Sequence, residues 1–281
     1  MKAALLGAIA GSGGVQPTPE VDAWLVRVAA ASGTVSAGTE AAARAFVVSC
    51  KTAGVWTLIQ RLNLFCGNFA AMVIPLVNTV GNAADTFVNG VGGDYSESLG
   101  PQTDGSTKRI GIGYIPSELT GGMSFYLRTT QASDTTGRCA MGVDSAGSTQ
   151  SYRLIGNRDG SGGTVAGAVR GAWGGPGATV GPATTGGMVA GLWHVVRRAP
   201  TDAELFLNGA SVGTSSASAT PASAGQSLGV FCLNNGGSFT SFLTSGTRSG
   251  AYAIDSGMTA PQAASFYTAM QAFQTALSRQ A

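Results

Sequence analysis

The sequence predicts a mainly β protein built as an antiparallel sandwich, and three observations carry that prediction. From residue 67 to about 257, short apolar runs are broken every ~8–12 residues by Gly, Ser, Thr, Asn or Pro, which is the spacing of strands in a sandwich or barrel. Inside this stretch, Asn208-Gly209 separates two strand-like runs, and an Asn-Gly pair supplies the two positive φ angles of a type I′ hairpin turn. The composition agrees: 43 of 281 residues are glycine and 11% are charged, as expected of many short strands joined by glycine-rich turns. A hydrophobic fraction of 44% argues against disorder.

Residues 1–20 read as an apolar arm followed by a linker stiffened by Pro17 and Pro19. The arm, MKAALLGAIAGSGG, has three open readings: docking on a neighbouring chain, packing on its own domain, or a secretory signal with an A-x-A-like site at Ala8-Ile9-Ala10. Under the docking reading Leu5, Leu6 and Ile9 are assembly contacts. The run is too short to span a bilayer, which takes roughly 20 apolar residues, and no other stretch qualifies.

Residues 21–66 form a helical lead-in. Val21, Leu25 and Val28 recur at helical spacing, Thr39 can cap a second helix whose Ala43, Phe46, Val47 and Cys50 share a face, and Gly54 ends it. A third amphipathic piece follows with Val55, Leu58, Ile59, Leu62 and Phe65. Nothing in this lead-in is expected to carry chemistry.

The sandwich spans residues 67–258, with its clearest strands at 108–115, 123–129, 139–143, 152–155, 165–170, 193–198, 203–207, 228–233 and 251–254, and a further strand beginning at Ala210. Ala203, Leu205 and Leu207 fall on one face of their strand and Glu204 and Phe206 on the other. Residues 259–281 close the chain as a helix. Thr259 and Gln262 have capping-box spacing, Pro261 sits in the first turn, and Phe266, Met270, Phe273 and Leu277 make one apolar stripe. Residues 278–281 are a polar tail.

A formal charge of +2 leaves no basic field, which argues against nucleic acid as a partner. So thin a charge suggests that much of the surface meets other protein, a quiet monomer surface being the alternative. Cys50, Cys66, Cys139 and Cys232 lack C-x-x-C spacing and come with one histidine, so zinc is disfavoured and no cofactor is expected. Free buried thiols are the favoured reading; Cys50–Cys66 or Cys139–Cys232 disulfides are the alternative.

Two segments resemble known proteins. The strand, loop, strand and Asn-Gly turn of residues 193–209 resemble the late hairpin of concanavalin A-like and laminin-G-like jelly rolls. Residues 246–280, GTRSGAYAIDSGMTAPQAASFYTAMQAFQTALSRQ, resemble the ending of a family of bacteriophage virion proteins with that sandwich, where Tyr267, Ala272, Phe273, Gln274, Thr275, Leu277 and Arg279 match the pattern. Thr52-Ala53-Gly54-Val55-Trp56 stands where that family has a Gly-hydrophobic-Trp element, whereas residues 63–67 depart from its usual aromatic-Pro-hydrophobic-Gly-Gly turn. The resemblance covers about residues 21–281 and is weak between 69 and 187. It implies a virion structural protein, a head decoration or a tail or tail-fiber component. Such a protein is assembled in the bacterial cytoplasm, contacts other virion proteins and forms a homo-oligomer; a trimer is the habit of such particles. It supplies no active site.

Catalytic constellations are missing from the sequence. There is no G-x-S-x-G, H-E-x-x-H or Walker loop, and His194, on a predicted strand, reads as a hydrogen-bonded sheet histidine rather than a general base. Glycosidases need paired carboxylates; Glu204, Glu118 and Glu97 stand apart along the chain. Asp144, Asn157 and Asp159 are oxygen ligands without the order of a calcium loop. Arg197 and Arg198 close a strand and either face an assembly partner or solvate an edge. Trp173, between glycines, is the best candidate platform for a host surface glycan, with packing beneath its loop the favoured reading. The chain is therefore expected to be non-enzymatic and to assemble on the particle through its arm; the alternative is a receptor-binding, lectin-like module.

Overall fold

The computed structural model describes residues 18–131, 133–157, 166–174, 179–184, 186–220 and 222–281. Leu5, Leu6 and Ile9 of the arm lie outside the described residues, as does Asp159.

Four α-helices occur among these residues: α1 (Pro19–Ala30), α2 (Ala37–Thr52), α3 (Phe69–Met72) and α4 (Ala260–Ala276). α1 buries Val21, Trp24 and Val28, and α2 buries Ala43, Phe46, Val47 and Cys50, the stripes that the 3.6-residue period marks. Ser36 rather than Thr39 caps α2, its hydroxyl accepting from the Thr39 backbone N–H at 3.1 Å. α4 begins with the capping box: the Thr259 N–H donates to Gln262 Oε1 at 2.9 Å.

Two large sheets follow, beside a two-stranded ribbon of Tyr95–Ser96 and Gly100–Pro101. The first has seven antiparallel strands in the order Ala210–Ser215, Asp202–Leu207, Gly191–Ala199, Gly121–Leu127, Ser249–Asp255, Ile59–Asn63, Val77–Asn78. The second runs Thr179–Thr184, Ala168–Trp173, Ser151–Gly156, Arg138–Asp144, Gly229–Val230, Arg109–Gly111, Thr86–Val88. Off that path the Leu233–Asn235 and Ser238–Thr240 hairpin joins Arg138–Asp144 in parallel. Asn208 and Gly209 have φ of 53° and 75°, as the turn between Asp202–Leu207 and Ala210–Ser215 requires.

The period of two sorts the side chains into layers. Met123, Phe125, Trp193, Val195, Leu205, Tyr252 and Ile254 of the first sheet meet Met141, Val143, Tyr152, Leu154 and Val169 of the second. On the opposite face of the first sheet, Leu62, Tyr126, Leu192, Ala251 and Ala253 meet the stripes of α1, α2 and α4. The first sheet is thus the middle of three layers, buried on both faces.

Two sequence expectations are corrected here. The piece after Gly54 is a 3₁₀ turn, Trp56–Leu58, followed by the strand Ile59–Asn63, so the lead-in placed at 21–66 runs into the sandwich sheet. Pairing with Ser249–Asp255 overrides the helical spacing. The strand's polar residues Arg61 and Asn63 are fully buried, Arg61 donating to Asp85 at 2.6 Å and Asn63 to Asp85 at 2.7 Å. At the end of the chain Ser278, Gln280 and Ala281 are exposed, but Arg279 is not part of a polar tail. Ser278 adopts φ of 55°, the Arg279 N–H bonds back to the Gln274 carbonyl at 2.9 Å, and the Arg279 side chain turns into the interior. There its guanidinium donates to the carbonyls of Leu64, Phe65, Glu97 and Gly250.

All four cysteines are free and buried, and burial pushes the thiols of Cys50, Cys66 and Cys232 up to about 12.

Candidate functional site

Trp173, the sequence candidate for a glycan platform, is a core residue at 1% exposure. Its strand, Ala168–Trp173, points Val169, Gly171 and Trp173 toward the facing sheet, and its indole lies edge-on to Tyr152 with ring centres 5.2 Å apart. Its N–H donates to the Glu118 carbonyl at 3.2 Å. The neighbouring glycines make room for packing: a Cβ on Gly121 would lie 2.4 Å from the Trp173 ring, and one on Gly171 would lie 2.4 Å from Val195.

Of the two strand-closing arginines, Arg197 is corrected in the same way, while Arg198 stays partly exposed. Gly191–Ala199 is the third strand of its sheet, not an edge. Arg197 is fully buried and donates to the carbonyls of Trp173 at 2.7 Å and Pro200 at 2.6 Å, so it cannot serve as an assembly contact. Arg198 pairs with Asp202 at 2.8 Å and Glu204 at 2.7 Å. Those partners, Asp202 foremost, raise its pKa and compensate its charge.

His194 packs against Phe206 beneath α4, and its Nε2 lies 2.9 Å from Asp255 Oδ2. The bond passes over Gly122, where a Cβ would come within 2.7 Å of Asp255 and 2.9 Å of His194. Asp255 also accepts from the Gly257 and Met258 N–H groups, which ties the end of its strand to the approach to α4. Asp144 and Asn157 sit at opposite ends of the strand Ser151–Gly156: Asp144 pairs with Arg153, while Asn157 bonds Asp134 and the Gly167 N–H. Glu97 accepts from Thr39 and Gly67, and Glu118 from Tyr114, so these carboxylates serve separate local networks.

The site that sequence reasoning missed lies in the lead-in. A groove of about 460 Å³ runs between α1 and the edge of the first sheet, within the roughly 300–1,000 Å³ of small-molecule sites. Glu20, Ala23 and Arg27, at spacings of three and four on α1, line one wall. Residues 76–79 line the other, with Trp56, Thr57 and Ile59 between them. The walls are fixed to each other by three successive carbonyls. Ile74 accepts from Trp24 Nε1 at 2.9 Å, and Pro75 and Leu76 accept from Arg27 Nη2 at 2.9 and 3.0 Å.

Trp56 is half-buried at this groove. Of the four tryptophans, Trp24, Trp173 and Trp193 each give their indole N–H to a backbone carbonyl. Trp56 has no such acceptor among the described residues. Asn78, Thr57 and Thr79 add amide and hydroxyl groups along the lining. The arrangement offers an apolar ring face with donors and acceptors beside it. The hollow between α2 and α4 lined by Ser49, Ala53, Ser265, Thr268, Ala269 and Ala272 has neither aromatic nor charged groups, and the one beside it, lined mostly by Phe46, Phe273 and alanines, has no charged group.

No family model matches the sequence, and no curated protein matches it. Among solved structures, the chain is similar to the botulinum neurotoxin serotype D binding domain, with a TM-score of 0.50 and 8% identity over 75% of this chain and 51% of that one. The serotype D ligand binding domain in complex with N-acetylneuraminic acid gives a TM-score of 0.49 at 8% identity, covering 75% and 50%. The NanB sialidase of Streptococcus pneumoniae gives 0.35 at 10% identity, covering 51% and 23%. The chain spans about half the length of the toxin domains and less of the sialidase. At such identities the likeness is one of fold, and the fold is an antiparallel β-sandwich with helices before and after it.

Proposed function

We propose that this chain is a non-catalytic sugar-recognition module, in which the groove between α1 and the sheet edge seats a pyranose ring on Trp56. The observation that carries the reading is the indole N–H of Trp56, which has no acceptor among the described residues, at an open groove with polar groups along its lining, beside three tryptophans whose N–H groups are satisfied inside the protein. Sugar rings present C–H faces that stack on an indole and hydroxyls that take hydrogen bonds at its edge, so a ring of this kind matches both halves of the groove. The architecture supports a recognition role at the level of fold, since the domain it resembles is a binding domain.

The setting in the same proposal is a phage particle, where the module meets a host surface glycan and assembles as a homo-oligomer on other virion proteins. The resemblance of residues 246–280 to virion proteins supports that setting.

Titration with panels of neutral and acidic oligosaccharides, followed by tryptophan fluorescence and calorimetry, tests the reading. A ligand should shift the emission of the native protein, and Trp56→Ala should weaken its binding at least tenfold, the loss of roughly 1.4 kcal/mol of stacking and hydrogen bonding. Binding that survives Trp56→Ala at full strength would place recognition elsewhere.

A further inference from the structure

The charges around the groove do not cancel. Glu20 projects from one wall, but its carboxylate is paired with Lys51 at 2.7 Å. Arg27, seven residues along the same helix, has no carboxylate partner among the described residues: its recorded bonds run from Nη2 to the carbonyls of Pro75 and Leu76. Nε is enclosed without an acceptor, and Nη1 makes no recorded bond, which leaves its N–H groups for a ligand. Burial lowers the pKa of this guanidinium, as expected of a cation partly stripped of water and lacking a counter-charge. The two carbonyl bonds also hold the side chain in place, so little rotamer freedom remains to be lost when an anion arrives.

Resting on the sugar-recognition reading of this groove, we infer that it selects an acidic sugar: a pyranose that stacks on Trp56 and sets a carboxylate or sulfate substituent against Nη1 of Arg27. Neutral hydroxyls could accept from Nη1 as well, but only an anion also supplies the charge that the groove lacks. Charge-assisted bonds are about twice as strong as neutral ones.

The experiment uses the full chain and three oligosaccharides matched in length: a neutral hexose oligomer, a hexuronate oligomer and an O-sulfated hexose oligomer. Calorimetry should show the two acidic oligomers binding roughly tenfold more tightly than the neutral one, the low end for a bond to a charged group because the groove is open to water. The preference should shrink as salt is raised from 0.05 to 0.5 M (both values about, for a Debye length falling from roughly 14 to 4 Å). Arg27→Gln, which removes the charge and keeps a polar side chain on the wall, should bring acidic and neutral oligomers to parity. Glu20→Gln does not touch the bonds of Arg27 to the Pro75 and Leu76 carbonyls; it releases Lys51 and should widen the preference, so the inference remains testable should Arg27→Gln fold poorly. Equal affinity for all three oligomers, lost on Trp56→Ala, would overturn the acidic selectivity and leave sugar recognition standing. An acidic preference that persists in Arg27→Gln, or that Glu20→Gln leaves unchanged, would remove the charge balance at Arg27 as its cause. Binding of none of the three would overturn both readings. If only the sulfated or only the hexuronate oligomer is preferred, the anion is identified and the inference holds for that class.

Discussion

Trp173 and Trp56 are two indoles in two regions of one molecule, and they differ in what happens to the polar atom. In the sandwich interior Trp173 gives its N–H to the Glu118 carbonyl and its ring edge to Tyr152, and Arg197 reaches the Trp173 carbonyl from the facing strand. Around the lead-in groove Trp56 has no acceptor among the described residues, and Arg27 leaves Nη1 uncommitted. Both regions combine a tryptophan with an arginine. A site is therefore recognised here by which hydrogen-bond donors remain after the fold has used the others, not by residue type.

The comparison is broken most sharply by truncating the two rings. Trp173→Ala should cost about 3–5 kcal/mol in denaturant unfolding, the range for a large aromatic removed from a packed core. Trp56→Ala should change stability by no more than about 1 kcal/mol, because its ring sits at a partly exposed groove. Similar losses for both would mean that Trp56 is a packing residue.

A smaller effect is expected from the arginine that closes the fold. Arg279→Met keeps much of the aliphatic stem beside Phe273 but leaves the Leu64, Phe65, Glu97 and Gly250 carbonyls short of a donor, for a loss of about 3 kcal/mol. Equilibrium unfolding measures it. An unchanged midpoint would show that water replaces the guanidinium without penalty.

The smallest contribution, taken group by group, comes from the buried thiols. Burial raises Cys50, Cys66 and Cys232 to about 12, whereas the unfolded chain ionises near the ordinary thiol value of about 8.5. The folded state then holds protons that the unfolded state releases. Stability is fully present below about pH 8.5 and declines as pH rises toward 12, by at most about 1.4 kcal/mol per thiol for each pH unit. Unfolding midpoints measured from pH 7 to 11, with and without Cys→Ser at position 50, would separate this slope from that of tyrosine ionisation.

The architecture was legible in the sequence where one period acted alone. The Asn208-Gly209 turn, the two faces of the Asp202–Leu207 strand and the α4 stripe follow from local spacing and turn chemistry. The Ile59–Asn63 strand was misread because its partner in the sheet lies some 190 residues away, and its polar residues point into a buried network. Trp173 carried two readings because glycine marks both display and close packing, and the structure bears out the packing beneath its loop. The groove was hidden for another reason: its lining comes from three separated segments, and only the fold shows which indole N–H is left without an acceptor. Of the residues that carry the virion resemblance, Phe273, Gln274 and Arg279 are committed to the interior. They record how the chain is closed and are silent on what the groove holds.

The pairing of Ile59–Asn63 with Ser249–Asp255 also sets a schedule for synthesis. The second strand of this pair leaves the ribosome some 190 residues after the first, an interval of about 10–40 s at roughly 5–20 residues per second. Gly121–Leu127 likewise pairs with Ser249–Asp255, so the middle layer stands incomplete until the last strand arrives. For that interval the nascent chain holds two unpaired strand edges in reserve, and α4, made last of all, covers the sheet only after the gap is filled. A chain stopped short of residue 249 would therefore leave those edges permanently open, a template for pairing with its neighbours.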